Sequence, residues 1–571
     1  MSKKMLYTAP KLTELLAKQS EKRSPGLFKQ GIFTLQWRGK VGSFPYPDLE
    51  TIVSAGEPCG QWDWKPGKDF GDLSDRLPQL PLSGYIPGSA IRGLVRSWAV
   101  KHGFQHEVHT LLGHQNENQE ITAGKIEFLD AWPTTQEKLS LDITNPQEKF
   151  QVYHDKSDAG KPKPLPLYTL GNGKESVEVT IAIRGIPGLV SKNDVDQVWM
   201  WIEQALSFYG VGSRTASGYG RLKPESQIIP VDLPGYKTQE FGFSLFSQGC
   251  YGPDQKNRNN VELRPSHWRG WLRSWTLRFL LGVMSNTNAQ LTVEELFGTL
   301  ESNTGGKSRQ GVVRIEMLQG TQQPWGDRSF NTPDFYVWKG GLRIIAPKDL
   351  LDKILFPIIR FSVMVGGIGR GWRRPLHIYT MPNGRKASRG SLLYLTHQVR
   401  KKDSPNMVNK LLGLPANPEQ WQMQYQDWTT SVQSQWSTRF LGNNQNLEAE
   451  VFSPTTCAVY LVPEPLDEPI NKGDQKWSTQ DPLKTRGWGM DLIYKPTYKR
   501  KSDVGGNAAQ GNSHCSWVSI KRVKVSKRGC HEVVCLFMGG KQPGTNHLRS
   551  KFLSDLSEIP EAVHLFGVTP P

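Results

Sequence analysis

The heptapeptide Arg92-Gly93-Leu94-Val95-Arg96-Ser97-Trp98 returns in the second half of the chain as Arg269-Gly270-Trp271-Leu272-Arg273-Ser274-Trp275, with five of seven positions identical. Each copy follows a proline and a serine, Pro87-Gly88-Ser89 in the first and Pro265-Ser266 in the second. Proline in a first turn and serine at a cap are helix-start signals, so Ser89 and Ser266 are each expected to cap a helix. Two further landmarks keep the same order: Leu111-Leu112-Gly113 answers to Leu296-Phe297-Gly298, and the glycine-rich run 210–221 answers to 366–374. Three landmarks in one order mark an internal duplication.

Around each Arg-Gly helix the hydrophobic pattern is also shared. An alternating strand precedes it, at Phe33, Leu35 and Trp37 in one copy and at Phe241, Phe243 and Leu245 in the other. Val177, Val179, Ile181 and Ile183 alternate as a later strand, and Val195, Val198, Trp199, Ile202 and Leu206 then follow helical spacing into the glycine run. The second half repeats this with a strand near 342–345 and a helix near 350–365, kinked at Pro357. The order is βαββαβ, an α+β unit present twice. Pro230, Pro234 and Gly235 place the boundary near 228–238, giving domains 1–229 and 230–571. Residues from about 380 to 515 lack sustained periodicity and read as a large insertion in the second domain. Val518, Ile520, Val523 and Val525, interleaved with Lys521, Arg522 and Lys524, suggest a strand with a basic face, followed by an amphipathic segment at 552–565.

Seventy Lys and Arg against 53 Asp and Glu leave a net charge of +17, which favours phosphate-rich partners. No run of about twenty apolar residues and no leading signal pattern is present, so a cytoplasmic protein is expected. Cys59, Cys250, Cys457, Cys515, Cys530 and Cys535 show no CxxC pair and no even spacing, which argues for reduced thiols over structural zinc or a disulfide framework. His102, His106 and His109 share a face only if a helix continues past Gly103, and a polar helix end is the preferred reading.

A helix start presents unpaired amides and a positive dipole end, which suits a phosphate. Arg92 and Arg96 are one turn apart, as are Arg269 and Arg273, so each pair can reach along one face to successive phosphates. The glycine runs let backbone approach a ligand closely, with Arg214 and Arg221 beside Gly212, and Arg370, Arg373 and Arg374 beside Gly369. Neither run has the Gly-Lys-Ser/Thr ending of a P-loop. Both follow a helix instead of a first strand, which disfavours a dinucleotide fold.

Tyr85-Ile86-Pro87-Gly88-Ser89-Ala90-Ile91-Arg92-Gly93 resembles the hallmark segment of the RAMP superfamily of CRISPR-associated proteins, and Gly210 to Arg221 resembles its glycine-rich hallmark. Gly124 to Ala131 and Leu141 to Pro146 are similar to backbone subunits of type III effectors, of the Cas-seven type. Glu262 to Ser266 and Glu295 to Gly298 resemble a different RAMP branch. The resemblance implies two tandem ferredoxin-like, RRM-like domains of a fused-subunit, type III-D-like complex. It implies CRISPR RNA and complementary target RNA as ligands, with other RAMP subunits and the large polymerase-like subunit as neighbours. On this basis Ser89, Arg92, Arg96, Gly212, Arg214, Arg221, Ser266, Arg269, Arg273, Gly369, Arg370 and Arg373 are the expected RNA-binding residues.

Some RAMP backbone subunits cleave target RNA with a loop aspartate and a divalent cation. The corresponding loop here holds Asp63, Asp69, Asp72 and Asp75, and by distance from Ile86 the resemblance assigns Asp72 to catalysis and to Mg²⁺, with Asp69 and Asp75 as neighbours. The residues that usually surround that aspartate are missing. In the second half Asp254 lies in a Pro- and Asn-rich stretch that reads equally well as a turn. The alternatives are a noncatalytic RNA scaffold, a guide-processing ribonuclease using His102 or His106, and an unrelated single-strand RNA binder stacking bases on some of the 19 tryptophans.

Overall fold

A computed structural model of the chain describes residues 9–41, 43–46, 51–54, 85–135, 139–144, 150–154, 165–173, 175–226, 233–251, 261–299, 310–325, 335–369, 371–380, 383–384, 386–400, 406–442, 449–463, 486–507, 514–526, 529–540, 544 and 546–571. The chain divides into two compact units. The first comprises Met1–Asn145, Pro164–Tyr236 and Tyr251–Glu262, and the second comprises Pro146–Lys163, Lys237–Cys250 and Leu263–Pro571.

In the first unit, strand β1 (Phe28–Leu35) leads to helices α1 (Gly88–Lys101) and α2 (Gln105–Leu112), then β2 (Ile126–Phe128). A hairpin of β3 (Leu139–Thr144) and β4 (Leu165–Leu170) follows, then β5 (Val177–Gly185), α3 (Lys192–Phe208) and β6 (Leu222–Pro224). The sheet runs β6-β1-β5-β2. Its pairs are antiparallel, from Phe28 opposite Arg184 to Leu35 opposite Val177. With the minor elements set aside, this is the βαββαβ order with the first strand between the last and the third. Alternation in β5 buries Val177, Val179, Ile181 and Ile183, while α3 buries Val195, Val198, Trp199, Ile202 and Leu206. Each such side chain contributes about 1.5–3 kcal/mol. Ser191 starts α3 with a reciprocal cap, accepting from the Asp194 amide while the Asp194 carboxylate accepts from the Ser191 amide.

The second unit holds the repeat: β7 (Tyr236–Ser247), α4 (Pro265–Leu280), α5 (Asn286–Phe297), β8 (Arg314–Trp325), β9 (Phe335–Pro347), α6 (Phe356–Val365), β10 (Leu392–Arg400) and β11 (Met407–Leu411). Its sheet runs β8-β9-β7-β10-β11, the same order with one added edge strand. A π-helical turn, Leu350–Leu355, runs straight into α6 with Pro357 in its first turn. Proline donates no amide, and the wider turn accommodates the interruption.

The stretch expected as an insertion, 380–515, holds the last strands of this module, β10 and β11, and then elements of a further sheet within the same unit. After α7 (Pro418–Gln435) come β12 (Cys457–Pro463), α8 (Trp488–Tyr494), β13 (Val518–Ser526), β14 (Gly529–Phe537), α9 (Leu548–Ser557) and β15 (Val563–Gly567). This sheet runs β13-β14-β12-β15 with antiparallel pairs, so a third βαββαβ module closes the chain. The expected basic face of β13 is also corrected. Lys521 and Arg522 are buried, donating to the Leu393 carbonyl and, at 2.9 Å, to the Leu376 carbonyl. Among the described residues no helix is long and apolar enough to cross a membrane.

Candidate functional site

The Pro-Gly-Ser segment is fixed by backbone. Ile86 and Ala131 exchange two amide-to-carbonyl bonds of 2.8 Å, which sets α1 against the end of β2. A Cβ at Gly88 would lie 2.2 Å from the Phe128 carbonyl oxygen, so only glycine allows that approach. Ser89 does not cap the helix. The residue before the helix is Pro87, the Gly88 amide donates to Asp130 Oδ1 at 2.9 Å, and Ser89 stands exposed in the first turn. Asp130, unmarked in the sequence reading, holds a carboxylate at this helix start.

The duplicated arginines have a shared local partner. Arg92 Nη2 donates to the Leu112 carbonyl at 2.5 Å, and Arg96 Nη2 to the carbonyls of Leu112, at 2.9 Å, and Gly113. Both cations therefore sit on the negative end of α2. Arg92 is exposed; partial burial, and Arg92 itself, pull the Arg96 pKa down. In the second copy Arg269 donates to the Phe297 carbonyl, the position that answers to Leu112. Two of the repeated landmarks thus recur because they bond to each other. Burial lowers the pKa of Arg273, opposed by the nearby Glu294 and Tyr153, and Ser266, behind Pro265, makes no cap.

The first glycine turn is open on one side. Gly210 bridges to Arg221, and Val211 donates to the Gly220 carbonyl at 2.8 Å. Tyr219, buried edge-on against Trp37, donates to Asp142 Oδ2 at 2.5 Å. The Ser213 amide donates to the Lys40 carbonyl at 2.9 Å, and Gly212, at φ +80°, passes where a Cβ would lie 2.1 Å from that oxygen. Gly212, Ser213 and Arg214 are exposed, and Arg214 holds a left-handed φ of 59°. Burial and the neighbouring Arg214 both lower the Lys40 pKa, which puts two cations beside this exposed backbone. Arg221 is half-buried. Behind the turn, buried Arg38 pairs with Glu262 at 2.6 Å and donates to the Asn172 carbonyl.

The second glycine turn is closed at its start and exposed at Gly371. Gly366, Gly367 and Ile368 are buried, Gly369 has φ +84°, and Arg370 lies outside the described residues. Arg373 departs from the expected role: it is buried, 2.6 Å from Glu450 Oε1, and stacked over Trp372. Burial pushes the Glu450 carboxyl up, but Arg373 and Arg278 outweigh it and hold the group at about 2. Arg374 donates to the carbonyls of Val518, at 2.6 Å, and Gly505, and to Ser516 Oγ. The third module takes up these donors.

Asp63, Asp69, Asp72, Asp75 and Asp254 lie outside the described residues. Gly103, at φ +89°, separates α1 from α2, so His102, His106 and His109 share no continuous helix. The His109 and His114 rings stack at 3.8 Å. Among the described residues no group of three His, Cys, Asp or Glu side chains could hold a metal ion.

Fold and site together define an α+β chain of ferredoxin-like modules with one open, basic glycine turn. Residues 66–223 match the RAMP superfamily model. No curated protein matches at a significant level. Among solved structures, a chain of the type III-B Cmr-beta complex bound to cognate target RNA is 20% identical with a TM-score of 0.26; the match covers 38% of this chain and 65% of that one. Cmr6 from Pyrococcus furiosus is 19% identical over 35% of this chain and 98% of its own, with a TM-score of 0.20. Apo Cmr1 from Pyrococcus furiosus is 13% identical over 58% and 99%, with a TM-score of 0.31.

Proposed function

We propose that this chain is an RNA-holding backbone subunit of a type III CRISPR effector, with its first module gripping the sugar-phosphate strand of CRISPR RNA. The observation that carries this reading is the exposed Gly212-Ser213-Arg214 backbone, within the 66–223 stretch that matches the RAMP superfamily, with the cations of Lys40 and Arg214 beside it. Positive charge beside bare backbone suits phosphates and ignores base sequence. Bases left facing away from the grip are free to pair with target RNA. Other RAMP subunits and the polymerase-like subunit are the protein partners on this reading.

The grip is tested by substituting Lys40→Gln with Arg214→Gln in the full chain and measuring RNA affinity across a salt series. Each lost phosphate contact flattens the slope of log affinity against log salt by about 0.7. A combined change of about 1.4 with an unaltered melting temperature is expected. An unchanged slope would refute the assignment.

The finer reading makes the first module an endoribonuclease. The 2′-OH of the target attacks the adjacent phosphorus, leaving a 2′,3′-cyclic phosphate and a 5′-OH, and the protein's share is to hold the strand in line. Asp72 would hold a divalent cation such as Mg²⁺, which would stabilise the developing charge. Asp72→Ala is expected to abolish one cut while RNA binding persists; an unchanged cleavage pattern would leave a scaffold. The inward turn of Arg269, Arg373 and Arg374 favours the scaffold role for the second unit.

A further inference from the structure

The third module is closed where an RRM-like domain would usually offer its sheet. β12 is buried from Cys457 through Val462, and α6 packs on β13 and β14 while α7 packs on β15. Among the described residues, the first part of the connection from α8 to β13 is open. There Lys495, Lys499, Arg500 and Lys501 are all exposed within seven residues, with no carboxylate in the stretch.

This connection is a built turn. Tyr498 is buried, its hydroxyl donates to Asp555 Oδ2 at 2.7 Å, and its ring meets Phe552 edge-on at 5.0 Å. The amides of Tyr498 and Lys499 both donate to the Lys495 carbonyl at 2.9 Å, and the Gly505 amide donates to the Lys501 carbonyl at 2.9 Å. Gly505 itself packs so closely that a Cβ there would lie 2.1 Å from the Tyr498 carbonyl oxygen. Arg500 is held at φ +62°, a left-handed conformation that a long side chain resists and glycine adopts freely. An arginine kept at such a position points to a use for its charge.

Three of the nearby carboxylates are engaged, while a fourth, Glu558, is exposed and near enough to act on Tyr498. Asp503 faces His547, Asp491 faces Arg486, and Asp555 accepts from Tyr498. Lys499 lies over the Tyr494 ring at 5.5 Å, and among the described residues none of the four cations has an ion-pair partner. Between them the turn exposes Pro496 and Thr497, with Ser502 just beyond, and no aliphatic or aromatic anchor of the kind that centres a protein interface.

We propose that the Lys495–Lys501 turn is a further RNA-phosphate contact, through which the third module holds the strand by charge without using its sheet. This rests on the RNA reading above.

The test uses the full-length chain and a labelled single-stranded RNA of mixed sequence, titrated over a salt series. A variant combining Lys495→Gln, Lys499→Gln, Arg500→Gly and Lys501→Gln removes the charge, and glycine relieves the backbone at 500, so the melting temperature serves as the folding control. The salt slope is expected to flatten by about 2 to 3. The Lys40→Gln and Arg214→Gln variant runs in parallel. If that variant loses affinity and the turn variant does not, this inference fails alone. If neither changes RNA binding, the RNA reading fails with it. If the turn variant keeps its RNA affinity but loses a co-purifying acidic protein, the surface belongs to that protein and the inference is overturned. If the turn variant unfolds, Arg500→Gly alone decides: a slope flatter by about 0.7 supports the contact and an unchanged slope sinks it.

Discussion

Arg92 and Arg96 carry the most conspicuous repeat in the sequence, yet their guanidinium groups lie on the last carbonyls of α2, with Arg92 left exposed. Removing a cation from a helix C-terminus costs about 1–2 kcal/mol when the site is partly buried. Arg96→Ala is therefore expected to lower unfolding stability by about that amount, while Arg214→Ala, on an open turn, stays within about 0.5 kcal/mol. Denaturant unfolding of both variants separates loss of fold from loss of ligand. A second residue reports on pH. Glu532 accepts amides from Gly487 at 3.0 Å and Met490 at 2.9 Å, and burial pushes its carboxyl up to about 7 against the pull of Arg522 and those amides. A carboxyl with a higher pKa folded than unfolded favours folding at low pH. That contribution is lost as pH rises from the unfolded value of 4.5 to about 7. Wild type is therefore expected to lose stability between about pH 5 and pH 8, and Glu532→Gln, which cannot titrate, is expected to lack that part of the pH dependence whatever its absolute stability, measured by denaturant unfolding at both pH values.

At the scale of elements, Gly88 decides how α1 meets β2, and Gly88→Ala is expected to destabilise by about 1–3 kcal/mol through overpacking against the Phe128 carbonyl, read as a lower melting temperature. The elements legible in the sequence were those with one buried and one exposed face. β5 alternates and α3 follows 3.6-residue spacing, so both stand out. β12 reads Cys-Ala-Val-Tyr-Leu-Val with every residue buried, so alternation vanishes and the strand looks like any apolar run. The helices of that module are short, seven residues in α8 and ten in α9, which leaves little periodicity to read. The site was legible in part for a similar reason. Glycine and arginine mark a turn whether it opens to solvent, as at Gly212, or closes, as at Gly366. The partners that close the second turn, Glu450 and Val518, lie far along the chain where no local pattern announces them.

Across the whole molecule, each unit is built from one recurring module, once in the first and twice in the second. Within the second unit the last two modules share a core: Arg373 and Arg278 meet Glu450, and Arg374 holds Val518 and Ser516. Ending the chain at Thr456 keeps Glu450 but removes the sheet that covers α6, the Val518 and Gly505 carbonyls that accept from Arg374, and Arg522, which donates to the Leu376 carbonyl. The truncated protein is expected to be insoluble or molten, with sedimentation and near-ultraviolet circular dichroism as the readout; a soluble, cooperatively melting product would show that the second module stands alone.

The most direct test of an RNA-holding role is photo-crosslinking of the full-length chain to uniformly labelled RNA, followed by mass spectrometry of the crosslinked peptides. Crosslinks at Lys40 and at 212–214 are expected, with a second set at 495–501. Crosslinks that avoid the first glycine turn altogether, or none above the level seen with a denatured control, would contradict the grip.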